Sequence, residues 1–387
     1  MLKVLYVASE VVPFIKTGGL ADVAFSLPKE LRKLGIDVRV ILPKYSQIAD
    51  KFKNDMTELK SFNVQVGWRN QYCGIEYLEL DGIPFYFIDN EYYFKRDGIY
   101  GFYDDGERFA FFCRSVLEMV GNMDFIPDVI HCNDWHTGMI SPLWDVHYRN
   151  NPRYSQIKTV FSIHNMKYQG VFPKEILGDL LSISDDYYHV DALEFYGGVS
   201  FIKGGINYSN LVTTVSKSYA EEIQTPYYGE KLDGIIQNRK NDLHGIVNGI
   251  DYDLYNPESD KHIFAEYNID SFENKKENKI HLQRHLNLPQ REDVPLIGMV
   301  SRLVHNKGFD LVLNILDQLL KEDVQIVILG TGDSYFESKF KEFSKWHKDK
   351  ISVNIMFNES LAHKIYAASD LFLMPSRFEP CGLGQLI

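Results

Sequence analysis

The chain has 387 residues, 45% hydrophobic and 24% charged, a globular composition long enough for two or three domains that bury their own cores. Its formal net charge of −12 argues against non-specific binding to nucleic acid or to an anionic membrane, since both need a basic surface. No apolar stretch approaches the roughly 20 residues of a membrane helix. The four cysteines, Cys73, Cys113, Cys132 and Cys381, contain no C-x-x-C pair, so reduced thiols in a cytoplasmic protein are expected.

The apolar run from Lys3 to Ala8 is followed at once by Glu10 and reads as a first strand, not a signal peptide. Lys16-Thr17-Gly18-Gly19 makes a turn, and Leu20, Val23, Ala24, Leu27, Leu31 and Leu34 then recur at helical spacing. Pro28 inside that pattern predicts a kink. Asp37 to Leu42 supplies the next strand, which completes a βαβ unit of the buried parallel type. Similar strands are expected at Asp128 to Cys132, Lys158 to Ile163 and Leu211 to Val215. The aromatic-rich region Tyr72 to Tyr103 predicts short antiparallel strands and a loop.

A second α/β unit follows Asn248-Gly249-Ile250-Asp251. Residues Ser259 to Glu292 are polar and predict surface cover. Strands are expected at Pro295 to Val300, Val324 to Leu329, Ile351 to Phe357 and Leu371 to Met374, with helices at Asp310 to Leu320 and Leu361 to Ala368. The expected division is 1–245 and 246–387. Ligands of such sheets sit beyond the carboxyl ends of the strands, and a cleft between two such domains is the default site.

Several strand ends carry chemistry. Lys16 to Gly19 is either an ordinary βα turn or an anion-binding loop, with glycines that let a ligand approach and amides at a helix start. It lacks the G-K-[ST] order of a P-loop. Arg302 and Lys307, after a core strand, are either a solvated basic loop or a diphosphate clamp, since arginine offers a planar fork and lysine a point charge. In Ser376 to Gly384 the glycines and Pro380 mark a turn into a helix. Its amides suit phosphate or sugar hydroxyls, and Glu379 suits sugar hydroxyls. Cys381 has no histidine close in sequence to activate it and reads as a buried structural thiol. His131 to His136 and His164-Asn165 bring imidazole and carboxylate to neighbouring strand ends, although a lone histidine is also a common core residue. No metal-ligand set is complete, so neither metal nor cofactor is expected. Gly330-Thr331-Gly332 echoes a dinucleotide loop that lacks its third glycine.

Taken in order, Lys16 to Val23, His131 to His136, His164-Asn165 with Tyr168-Gln169-Gly170, Asn248 to Asp251, Ser301 to Leu303 with Lys307-Gly308, and Pro375 to Leu383 resemble the retaining starch and bacterial glycogen synthases. The resemblance implies a GT-B architecture: two Rossmann-like parallel-sheet domains facing a cleft, the first on the glucan side and the second binding the nucleotide sugar. It implies an ADP-glucose donor and an α-1,4-glucan acceptor. Lys16, Gly18 and Gly19 would contact donor diphosphate and sugar. Arg302 and Lys307 would stabilise the departing diphosphate. Asp134, His164 and Asn248 would line the glucose pocket. Glu379, with the amides of Cys381, Gly382 and Leu383, would hold sugar hydroxyls and phosphate. Stabilising the developing anion with preplaced cations is usually the largest catalytic term and needs no metal.

There are two departures. The residue before Asp134 is often histidine in the family and is Asn133 here. The chain also stops at Ile387, where the family continues, so an incomplete second domain and weak transfer are expected. Other readings stay open: a UDP-sugar transferase of the same architecture, a phosphorylase (for which no pyridoxal-lysine context is present), and an inactive glucan- or nucleotide-binding fragment.

Overall fold

The computed structural model describes residues 1–387, which divide into two compact units, Met1–Gly249 and Ile250–Ile387. No helix is long and apolar enough to cross a membrane.

The first unit is built on a nine-stranded sheet. Its strands are β1 (Lys3–Val7), β2 (Asp37–Pro43), β3 (Thr57–Val66), β4 (Arg69–Leu80), β5 (Ile83–Asp89), β6 (Val129–Asn133), β7 (Lys158–Ile163), β11 (Leu211–Thr214) and β12 (Leu243–Gly245). Three short strands, β8 (Val171–Pro173), β9 (Glu194–Phe195) and β10 (Gly198–Ser200), form a separate antiparallel sheet. The order in the large sheet is β12-β11-β7-β6-β1-β2-β5-β4-β3. The strands from β12 to β5 run parallel, while β4 pairs antiparallel with both β5 and β3. β1 lies at the centre, and Leu5, Tyr6 and Val7 are fully buried, as a strand covered on both faces requires.

One expectation is corrected here. The aromatic region forms longer strands than expected, of 12 and 7 residues, and they belong to the main sheet. Asp81 and Gly82 both have positive φ, 51° and 74°, and make the tight hairpin turn between β4 and β5. Pro28 lies buried inside a helix that runs from Gly19 to Lys33.

Chain order and sheet order diverge beside β1. The path runs from β1 to β2 on one side, while β6 and β7 lie on the other. Neighbouring connections leave in opposite directions at such a switch point, and a crevice opens at the strands' carboxyl ends. The segment after β1 and the residues after β6 therefore share one mouth.

The second unit repeats the plan with β13 (Leu296–Val300), β14 (Gln325–Leu329), β15 (Ile351–Asn354) and β16 (Leu371–Phe372), all parallel in the order β15-β14-β13-β16. Its switch point lies between β13 and β16. Side chains alternate across the sheet: Ile326 and Ile328 join a core with Phe309, Leu316 and Phe340, while Val327 and Leu329 join one with Leu282, Leu361 and Ile365. Residues 259–292 do more than coat the surface. They contain the helix Lys275–His285, which buries Asn278, Lys279, Leu282 and Gln283. Asn278 accepts from the Phe264 and Ala265 amides, and Lys279 pairs with Asp370 at 2.6 Å.

Candidate active site

At the mouth of the first unit, the glycine turn does not stand open. The carboxylate of Glu10, just past β1, accepts hydrogen bonds from the Thr17 amide and, at 2.8 Å, from the Thr17 hydroxyl. The neighbouring Gly18 amide adds to the stabilisation of its charge. Gly18 caps the helix Gly19–Lys33 in extended backbone. Lys16 is folded back onto Asp22 at 2.7 Å, one turn into that helix. Glu10 is 4% exposed, and burial pushes its carboxyl up to about 7 against the lowering effect of the Thr17 bonds and the Gly18 amide.

Asp134 follows β6 with φ 57° and ψ 178°, a backbone region costly for a residue with a side chain. Its amide donates to the Ser162 carbonyl, and its Oδ1 accepts from the His164 amide at 2.8 Å. Burial pushes this carboxyl from 3.8 up to about 7, and the nearby charge of Glu10 adds to the rise. Two carboxylates from neighbouring loops are thus coupled.

His164 follows β7. Its Nε2 lies 2.9 Å from Asn133 Oδ1, which also accepts from the Tyr6 hydroxyl at 2.9 Å. Because Asn133 Nδ2 donates to the Val7 carbonyl, its oxygen faces the imidazole, and the proton of a neutral His164 belongs on Nε2. Burial pushes His164 down to about 3, so the ring is neutral and Nδ1 is left as an acceptor. His131 is bonded to Ser162 at 2.6 Å and set edge-on to Tyr6, and burial lowers it to about 4; it is a structural core residue.

The neutral ring has a thermodynamic consequence. Below the ordinary histidine value of 6.5 the native state binds fewer protons than the unfolded chain, so His164 withdraws stability as pH falls from about 6.5 toward 3. His164→Gln should therefore lose less Tm than the parent between about pH 7 and pH 5 in thermal melts. Equal acid slopes would show that the ring does not titrate as a buried group.

In the second unit, Arg302 is exposed just after β13. Lys307 lies in a short turn ending at Gly308. Gly308 has φ 75°, and a Cβ there would lie 2.0 Å from the Pro375 carbonyl, so only glycine lets the two loops touch. That approach carries Lys307 Nζ onto the Glu379 carboxylate, both ends half-buried. Ser376 donates to the same carboxylate at 3.0 Å, and Arg377 pairs with Asp310 at 2.5 Å. The loops after β13 and β16 are thus clasped across the switch point. Gly330 and Gly332 prove to be packing glycines, with added Cβ atoms 1.9 Å from the Ser301 carbonyl and 2.2 Å from the Leu303 carbonyl.

Both parts of the chain match known families. Residues 3–238 match the family model described as the starch synthase catalytic domain, and residues 284–385 match glycosyl transferases group 1. The chain is 58% identical to a glycogen synthase of Desulforamulus reducens over 386 residues, covering all of this chain and 80% of that one.

The chain belongs to the glycogen and starch synthase family.

A glycogen synthase of Clostridium acetobutylicum is also 58% identical, over 387 residues and 81% of its length. The solved catalytic domain of starch synthase IV from Arabidopsis thaliana, bound to ADP and acarbose, superposes with a TM-score of 0.94 at 34% identity, covering 99% of this chain and 80% of that one. The synthase is thus a glycosyltransferase of GT-B fold that builds α-glucan.

Within it, Lys16, Gly18, Gly19, Asp134 and His164 gather around the β1, β6 and β7 ends, while Asn248 lies in irregular chain just beyond β12. Lys307 and Glu379 meet directly. The helix expected after Pro380 is a single 3₁₀ turn, Leu383–Gln385, preceded by Gly382 at φ 74°, so Cys381 to Leu383 offer no helix N-terminus. Cys381 is half-buried, not the buried thiol expected. Two residues escaped sequence reading. Glu10 stands alone between a strand and a turn, with no local pattern to mark it. Asn133 reads as a mere departure from a family habit until Tyr6 and His164 are seen converging on its one oxygen.

Proposed function

We propose that this synthase moves glucose from ADP-glucose to the non-reducing end of an α-1,4-glucan with retention of configuration. On this reading residues 1–245 serve the glucan and residues 246–387 hold the nucleotide sugar. The observation that carries the reading is the Lys307–Glu379 clasp at the second unit's switch point, where α/β sheets receive ligands. The ADP in the Arabidopsis synthase supports the choice of nucleotide.

In this scheme Lys307 and Arg302 meet the diphosphate. Charge developing on the leaving group draws Lys307 from Glu379, and Glu379 is freed to accept hydrogen bonds from glucose hydroxyls. Lys16, Gly18 and Gly19 contact diphosphate and sugar from the first unit's loop. Asp134 and the Nδ1 of neutral His164 accept from sugar hydroxyls, and Asn248 lines the same glucose. Cys381, Gly382 and Leu383 contribute loop amides to phosphate and sugar. In this scheme no carboxylate acts as a covalent nucleophile of the kind retaining glycosidases use. The departing phosphate then takes the acceptor hydroxyl's proton on the face it leaves.

The test is incorporation of labelled glucose into glycogen from ADP-glucose and from UDP-glucose in parallel. ADP-glucose should give the higher kcat/KM, and a preference for UDP-glucose would overturn the donor assignment. Because lysine and arginine neutralise the diphosphate, transfer should persist in EDTA at an unchanged rate. Loss on chelation with recovery on adding Mg²⁺ would mean that these cations do not carry that role.

A further inference from the structure

By sequence the Lys16–Gly19 turn is either an ordinary βα turn or an anion-binding loop. In the structure an internal anion already occupies part of it. Glu10 takes the Thr17 amide and the Thr17 hydroxyl, so these donors are engaged. Next along the chain, the Ala21 amide closes onto the Gly18 carbonyl at 3.3 Å, and the Val12 amide donates to the Ala21 carbonyl at 3.1 Å. Glu10, the turn and the helix start are therefore one hydrogen-bonded unit. The Gly19 amide follows directly, at a helix start where an anion is favoured.

We propose that Glu10 is a positioning residue that sets the Lys16–Gly19 loop for the donor by acting through Thr17 and Gly18 rather than by touching the sugar nucleotide. The inference rests on the proposed role of this loop in donor binding. The placement has a physical logic. A buried carboxylate is costly unless it is bonded, and here its bonds all go to one turn. The charge that disfavours burial is thus used to hold a glycine-containing segment that would otherwise sample many conformations. The groups facing Glu10 from surrounding elements are Asp22 on the helix, Asp134 beyond β6, and Tyr45 and Tyr100 from the connections after β2 and β5. None of these is a cation that would hold the carboxylate in place of the turn.

Two readouts test this. The first needs no activity: hydrogen exchange of the peptide containing Thr17 and Gly18. In Glu10→Ala these amides should lose protection, by about tenfold or more per bond to a charged acceptor, while the strands of the sheet exchange as before. The second is kinetic. Glu10→Ala should raise the KM for ADP-glucose by about tenfold or more and leave the KM for glycogen unchanged. Glu10→Gln retains one acceptor oxygen and should recover part of the loss, and Thr17→Val, which removes only the hydroxyl arm, should show a smaller effect of the same kind. Unchanged exchange and unchanged donor KM in folded Glu10→Ala and Glu10→Gln would overturn the proposal. A rise in glycogen KM alone would also overturn it, by placing Glu10 against the acceptor. Lost amide protection with no change in donor KM would instead overturn the donor role of the loop.

Discussion

Replacing Lys307 by alanine is expected to lower kcat by about 10²–10³ while leaving glycogen affinity nearly unchanged. The reason lies in when its charge is needed. In the resting protein Lys307 is matched by Glu379, with both side chains less than one-fifth exposed. The pair brings little net charge to the mouth of the second unit. When the bond to glucose breaks, negative charge appears on the diphosphate, and the ammonium, held close by and drawn off Glu379, stabilises it. Arg302→Ala should lose activity by a similar factor, although Arg302 is exposed and its removal leaves no partner stranded. The two variants differ in stability. Lys307→Ala leaves a half-buried carboxylate without its cation, at a cost of about 1–3 kcal/mol. A double variant, Lys307→Ala with Glu379→Gln, should regain that stability and stay inactive. Steady-state kinetics and melts on the four proteins separate these effects. Parental kcat in either single alanine variant would remove that residue from the donor site.

Asp134→Asn is expected to gain stability and lose activity, the latter by about 10² or more. Asparagine has the same shape as aspartate, so it adds no strain to the backbone at φ 57° and ψ 178° that aspartate already adopts. Its amide oxygen can still accept from the His164 amide. The sign of the stability change follows from the raised carboxyl. With a folded value of about 7 against 3.8, the native state holds a proton that the unfolded chain has released, so stability declines as pH rises through that window. Above about pH 7 the ionised carboxylate is buried at a net cost, and asparagine removes it. The Tm gain should be largest at about pH 8 and shrink toward pH 4. A variant that melts lower than the parent at about pH 8 would show that the ionised carboxylate is a net structural support. A folded variant with parental kcat would remove Asp134 from the glucose site.

The contrast between Glu10 and Lys307 shows where sequence reading reached and where it stopped. Arg302 and Lys307 follow the apolar strand β13 and Glu379 follows β16, with Gly308 and Gly382 marking the turns, and such strands are legible because a sheet covered on both faces needs unbroken runs. β1, β7 and β13 could be placed to within a residue or two for that reason. The β4–β5 turn is marked in the sequence by Asp81-Gly82, a hairpin signal. The helix Lys275–His285 had no comparable apolar signal. Its buried face is largely polar, with Asn278, Lys279 and Gln283 bonded to the chain around them, so hydrophobic spacing could not reveal it.

The sequence by itself determined the α/β class, the strand ends that carry chemistry, and the family, since these depend on local runs and on motifs in a set order. Tertiary structure decided which of those groups are engaged with one another. That Asn133 orients His164, that Lys307 rests on Glu379, and that Asp134 is buried against the His164 amide depend on segments distant in sequence meeting at strand ends. The Glu10–Thr17 contact is closer in sequence but needs the turn to fold back over the end of β1. Charge and hydrogen bonding act through space, and only the folded sheet order brings these groups within range.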